Sequence, residues 1–202
     1  MANLDAPRGF VPVRYLSGAP YNGAVSRYRK EASVILGVGD AVVLTGSSST
    51  AGTNNAPTDG VPLVTRAAAA SGTITGVVMW AEIDSSDDRA THAKHMAAAD
   101  TGYVYVADNP HLIFRIQEDS DGNSLVRTDV GEGVDIVVGN ASTTTGYSIM
   151  EIDSSTSAAQ IGNADQLRVM ELDQREDNEF AANADWLVMI NEHTYNAAQT
   201  MI

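Results

Sequence analysis

The chain of 202 residues contains no cysteine. Disulfides and thiolate metal sites are therefore excluded, and stability must come from packing or from assembly with other chains. Basic residues are scarce, 12 against 26 acidic ones, which gives a net charge of −14 and a pI of about 4.4. Such a surface repels phosphate backbones and anionic lipid headgroups, so neither nucleic acid nor membrane is expected as a partner. No apolar run approaches the roughly 20 residues a membrane-spanning helix needs. The segment from Met1 to Asp5 has no basic stretch leading into an apolar one, so no secretory signal is expected.

Catalytic signatures are also missing. Gly37-Val38-Gly39 lacks the third glycine and the following helix of a dinucleotide site. There is neither a phosphate loop nor a Gly-x-Ser-x-Gly elbow. Acid pairs such as Asp87/Asp88 and the Glu176, Asp177, Glu179 group could be drafted as glycosidase carboxylates, but an acid-rich chain supplies such pairs by chance. His92 and His95 would share a face of a helix and could share a metal. His111 and His193 lie in other segments, and Lys94 between the pair adds unhelpful positive charge. Asp119-Ser120-Asp121-Gly122-Asn123 imitates the start of a calcium loop, yet the twelfth position is Val130 and the flanks read as strands, so a tight turn is the better reading. The expectation is a non-enzyme with no cofactor and no metal.

What the sequence does contain is enough apolar material, 44%, to bury a core. Residues 1–30 stand apart. Pro7, Gly9, Pro12, Gly18, Pro20 and Gly23 break them up, five basic residues face the single acid Asp5, and Phe10, Val11, Val13, Tyr15, Leu16, Tyr21 and Tyr28 supply apolar anchors. This pattern suits an extended N-terminal arm that docks either on a partner or on its own domain.

From Ser33 onward short apolar runs alternate with turn residues. Ser33–Leu36 and Ala41–Thr45 read as a hairpin, residues 46–60 as an exposed loop, and Val61–Val64 and Thr73–Ile83 as strands, with Gly76 at a bulge. Asp87–Ala99 is the one plausible helix, with Asp87 or Asp88 as its cap, and a loop with one helical turn competes with it. Further strands are expected at Gly102–Ala107, Leu112–Gln117, Val134–Val138, Tyr147–Ile152, Leu167–Leu172 and Trp186–Asn191. In the second of these Leu112, Phe114 and Ile116 should point inward. Trp80 and Trp186 are both expected in the core.

The fold class is therefore all-β: an antiparallel barrel-like or sandwich body over residues 31–202, possibly in two lobes divided near 118–133, preceded by the arm over 1–30.

The run Ala6-Pro7-Arg8-Gly9-Phe10-Val11-Pro12-Val13-Arg14-Tyr15-Leu16, followed by Gly18 and Tyr21, resembles head decoration (cement) proteins of tailed bacteriophages. So do Gly102–Gln117 and Leu167–His193, the latter with its Asp177-Asn178-Glu179-Phe180 and Asn183-Ala184-Asp185-Trp186-Leu187-Val188 steps. The resemblance implies a β-rich virion protein on the capsid exterior, assembled in the host cytoplasm. It would bridge neighbouring subunits of the phage major capsid protein and stabilise the shell. Such proteins act as homo-oligomers, here with a trimer favoured over a dimer.

Charge and pattern then nominate Arg8, Phe10, Val13, Arg14, Tyr15, Arg27, Tyr28, Arg29 and Lys30 for capsid contact, since aromatic and Arg anchors dominate interface energies. The alternative is a carbohydrate- or receptor-binding β module of a virion fibre, using Trp80, Tyr103 or Tyr147 as stacking platforms.

Overall fold

The computed structural model describes residues 3–49, 60–83, 94–155 and 165–196. In chain order its strands begin with β1 (Val11–Tyr15), β2 (Ser26–Lys30), β3 (Leu36–Gly37), β4 (Ala41–Ser48), β5 (Pro62–Arg66), β6 (Gly76–Ile83) and β7 (His95–Met96). They continue with β8 (Gly102–Ala107), β9 (Leu112–Gln117), β10 (Gly133–Val134), β11 (Ile136–Val137), β12 (Glu151–Ile152), β13 (Leu167–Leu172) and β14 (Asp185–Ile190). Among the described residues the protein is all-β, with one 3₁₀ turn at Arg127–Asp129 and no α-helix.

Five strands close into a barrel in the order β2-β5-β4-β6-β8, with β8 returning to β2. Strict alternation along β8 sends Val104 and Val106 inward, fully buried, and Tyr103 and Tyr105 outward. Tyr28, Val42, Val64, Val78 and Ala81 fill the interior with them, joined by Leu36 and Met96 from the short β3–β7 pair. All pairings are antiparallel except β2 with β5, which run parallel.

The remaining long strands form a five-stranded antiparallel sheet in the order β1-β9-β14-β13-β10. One face carries Leu112, Phe114, Ile116, Trp186, Val188, Leu167, Val169 and Val134. It packs onto Phe10, Ala41, Ile74, Val77 and Ala107, which tie the sheet to the barrel through one shared core. Phe10 meets Phe114 edge to face with ring centroids 5.8 Å apart. Each large side chain so buried contributes about 1.5–3 kcal/mol. On β14 Leu187 is buried too, as expected for a strand apolar on both faces.

Residues 3–30 are woven into the chain's own body, one of the two dockings expected of the arm. β1 pairs with β9, β2 is a barrel stave, and Asn3, Leu4 and Ala6 bond to Glu179, Gln117 and their neighbours. Gly9 and Gly39 interlock, both at positive φ, with Phe10 N–H donating to Gly39 O at 3.0 Å. A Cβ on Gly39 would fall 2.4 Å from Arg8 O, so only glycine allows this approach.

The Ser33–Thr45 hairpin does not form. β3 pairs with β7, and β4 with β5 and β6. The turn between them is tied outward instead: Val38 N–H donates to Lys94 O and Gly39 N–H to Val78 O, while the Asp40 carboxylate accepts from Gly37 N–H at 2.8 Å.

The expected helix of 87–99 lies partly outside the described residues. Its described part contradicts a helix: Lys94 to Ala99 hold β7 and a turn, because His95 and Met96 pair with Gly37 and Leu36. Val134–Val138 is split into β10 and β11, and only Glu151–Ile152 of the Tyr147–Ile152 run is strand. The register shift of β6 falls at Val78/Trp80 rather than at Gly76, whose missing Cβ instead admits the Ala107 carbonyl. The chain passes from barrel to sheet between β8 and β9, ahead of the 118–133 stretch.

Candidate interaction surface

The nine residues nominated for contact with a capsid separate into two groups. Phe10, Tyr28, Arg29 and Lys30 are buried in the chain's own body. Phe10 belongs to the shared core. Tyr28 donates to Asp108 Oδ2 at 2.7 Å, and its oxygen lies 2.9 Å from that of Tyr195. Lys30 Nζ donates to Val34 O at 2.7 Å, and burial lowers its pKa. Alternation in β2 places Tyr28 and Lys30 inside the barrel, while Arg29 is covered on its outer side beside Tyr103. Arg8, Val13 and Arg27 are exposed, and Arg14 and Tyr15 are half-buried. Arg14 pairs with Glu171 at 2.8 Å, and Tyr15 O–H donates to Asn22 at 3.0 Å.

Arg27 belongs to an unusual arrangement on the outer wall of the barrel. Across β2, β8 and β6 the register aligns Arg27 with Tyr105 and Trp80 in one row, and Arg29 with Tyr103 and Glu82 in the next. Trp80 stacks on Tyr105 with centroids 4.9 Å apart and an interplanar angle of 21°. The guanidiniums of Arg27 and Arg29 sit 4.6 and 4.8 Å from the centroid of the Tyr103 ring, a cation–π geometry. Tyr105 O–H donates to Glu82 at 2.8 Å, which raises the tyrosine pKa.

Trp80, expected in the core, is thus half-exposed on the barrel's outer wall, whereas Trp186 has no exposure at all. The alternation of β6 was legible, but which of its faces was inward was not.

Elsewhere three carboxylates converge. Asp153 at the end of β12 joins Asp119 and Asp121, with one oxygen of each within 4.8 Å of the others. Ser154 O–H donates to Asp119 at 2.7 Å and Asn123 N–H to Asp121 at 3.0 Å, so the 119–123 segment is a bend held by one bond of its own and one from Ser154. These are the side chains that could take a cation, and a reading of 119–123 alone missed Asp153.

Beneath them Glu118 is fully buried. Its Oε2 accepts from Leu125 N–H and from Trp186 Nε1–H, each at 3.0 Å. Burial pushes its carboxyl up to about 7 against these opposing bonds. Glu151 is also raised to about 7, by burial and by the nearby charges of Asp5 and Asp119.

Of the histidines, His95 lies in β7 and His92 outside the described residues. His193 is buried where its segment bridges to Ile74. Its Nδ1 accepts from Tyr195 N–H at 3.1 Å, and burial lowers its pKa to about 4. It is a structural, neutral histidine.

Fold and surface together define an all-β protein in which a barrel and a sheet share one core, with charged and aromatic groups gathered on the barrel wall. Comparison with known proteins returns no matching family, no matching curated protein and no matching solved structure.

Proposed function

We propose that this chain is a structural virion protein that binds the exterior of a tailed-phage capsid and stabilises it by bridging major capsid subunits. One observation carries the reading: Arg8, Val13 and Arg27 stand exposed, with Arg14 and Tyr15 half-buried, on an otherwise acidic chain. With Phe10, Tyr28, Arg29 and Lys30 committed to folding, contact with the shell falls to Arg8, Val13, Arg14, Tyr15 and Arg27. Several modest contacts per molecule, repeated across a shell, supply avidity. The all-β body and the resemblance of the 6–21, 102–117 and 167–193 stretches agree with this role.

The test is co-sedimentation of the purified protein with undecorated heads. Wild type should pellet with the heads, and the Arg8→Glu/Arg27→Glu variant should stay in the supernatant while remaining folded. Equal pelleting of the two would overturn the contact assignment, and no pelleting of wild type would overturn the function.

The half-exposed Trp80 favours a second reading, a carbohydrate-binding module of a virion fibre. It requires a Trp80-dependent fluorescence shift on adding soluble oligosaccharides.

A further inference from the structure

Asn22-Gly23 is the one Asn-Gly step of the chain, and it lies exposed between β1 and β2. Such a step carries chemistry of its own. The backbone nitrogen of the following residue can attack the asparagine side-chain amide carbon, and glycine, with no Cβ, hinders that approach least. The nucleophile, the leaving group and the carbonyl oxygen each have a distinct setting here.

The nucleophile is free. Gly23 N–H makes no hydrogen bond among the described residues, and a Cβ at this position would meet nothing within 4 Å. Its nitrogen can lose a proton to water, and there is space for a ring to close. The leaving group is free as well, since Asn22 Nδ2 donates to nothing among the described residues. Asn178 is the opposite case. Its Nδ2 donates to Asp173 O at 2.9 Å and to Asp185 O at 2.8 Å.

The oxygen, by contrast, is held twice. Asn22 Oδ1 accepts from Tyr15 O–H at 3.0 Å and from Ala24 N–H at 3.2 Å. Attack at Cγ places negative charge on this oxygen, and hydrogen bonds strengthen as their acceptor gains charge. Both donors are fixed from elsewhere. Tyr15 ends β1 opposite Leu112 of β9, and Ala24 is tied by its carbonyl, which accepts from Tyr21 O–H at 3.0 Å. The amide is therefore gripped by the atom that gains charge and by no other.

We infer that Asn22 is a site of spontaneous self-modification, in which Gly23 N closes a succinimide ring on Asn22 Cγ while Tyr15 O–H and Ala24 N–H stabilise the oxyanion. In the first step the N–Cγ bond forms and the Gly23 proton passes to solvent. The Cγ–Nδ2 bond breaks, and the nitrogen leaves as ammonia. Water then opens the ring at one of its two carbonyls. Cleavage of the new N–Cγ bond gives aspartate, and cleavage of the original peptide bond gives isoaspartate, with one extra methylene in the main chain. Either product carries one more negative charge than asparagine. The step is intramolecular, so it stands whatever the body binds.

Incubation of the purified full chain in mildly alkaline buffer, followed by peptide mapping with mass spectrometry, tests it. Asn22 should convert before every other asparagine, to a mixture of aspartate and isoaspartate, while Asn178 stays intact. Isoelectric focusing should show one early acidic step that Asn22→Gln abolishes. Tyr15→Phe should slow conversion of the folded protein about threefold to tenfold, the worth of one hydrogen bond. In chains unfolded with urea the same substitution should leave the rate unchanged. Near-ultraviolet circular dichroism confirms that the variants are folded in buffer.

An Asn22 that persists while other asparagines convert overturns the proposal. A folded Tyr15→Phe variant that converts at the wild-type rate, or one slowed equally in urea, overturns the part given to the hydroxyl.

Discussion

The two tryptophans of this chain mark two regions built on opposite principles. Trp186 lies under the five-stranded sheet, without exposure. Its indole N–H is spent on the buried Glu118, and Phe180 meets it edge to face at 5.6 Å. Trp80 lies on the outer wall of the barrel, half-exposed and stacked on a tyrosine that is itself half-exposed. Both occur in short β-rich runs of similar composition. The first region uses aromatic area to hold the protein together, and the second holds it ready on the surface.

The sharpest way to break this contrast is to truncate the two residues. Trp186→Ala should cost about 3–5 kcal/mol, the usual range for a large buried aromatic, and it also strips Glu118 of a donor. Denaturant unfolding should show this as a large fall in the midpoint. A second effect, of intermediate size, separates the regions by pH. Glu118 and Glu151 have folded-state pKa values raised to about 7, from the ordinary 4.5. The folded state therefore binds more protons than the unfolded one, and stability should increase as pH falls from 8 through 7. Glu118 alone accounts for up to about 3 kcal/mol over the whole window between its two pKa values. His193 has the opposite sign. Its folded pKa is lowered to about 4 from 6.5, so below pH 6.5 its contribution is progressively lost. Urea titrations from pH 8 to 4 should show stability rising and then levelling or turning down, and Glu118→Gln should flatten the upper limb. An unchanged upper limb in that variant would contradict the assignment. The smallest effect on folding is expected at the barrel wall, where Trp80→Ser should change stability by only about 0.5 kcal/mol.

Legibility in the sequence followed the strength of alternation. The bounds of β8, β9 and β13 match the expected runs because each alternates cleanly, or is apolar enough to be recognised, between turn residues. The first thirty residues were harder to read. Their glycines and prolines suggested an extended arm docked on a partner or on its own domain; Gly9 supplies a close approach to Gly39, and Phe10 and Tyr28 enter this chain's own cores while Val13 and Leu16 stay exposed. In β2 the same alternation that exposes Arg27 buries Tyr28 and Lys30, so the four nominated basic and aromatic neighbours could not share one surface. The Ser33–Thr45 hairpin failed because turn chemistry at Gly37–Asp40 fixes a bend and not the pairing partner, which here lies more than fifty residues away in β7. The convergence of Asp153 on Asp119 and Asp121, and the row joining Arg27, Tyr105 and Trp80, depend on register between distant strands. No local pattern carries that information.

The contrast between the two regions is tested most directly by quenching the tryptophan fluorescence of the folded protein with acrylamide. Trp80→Phe should remove nearly all of the quenchable signal, leaving the emission of a sheltered Trp186, while Trp186→Phe should leave the quenchable fraction intact. Efficient quenching that survives in Trp80→Phe and disappears in Trp186→Phe would place the exposed aromatic under the sheet and contradict the account.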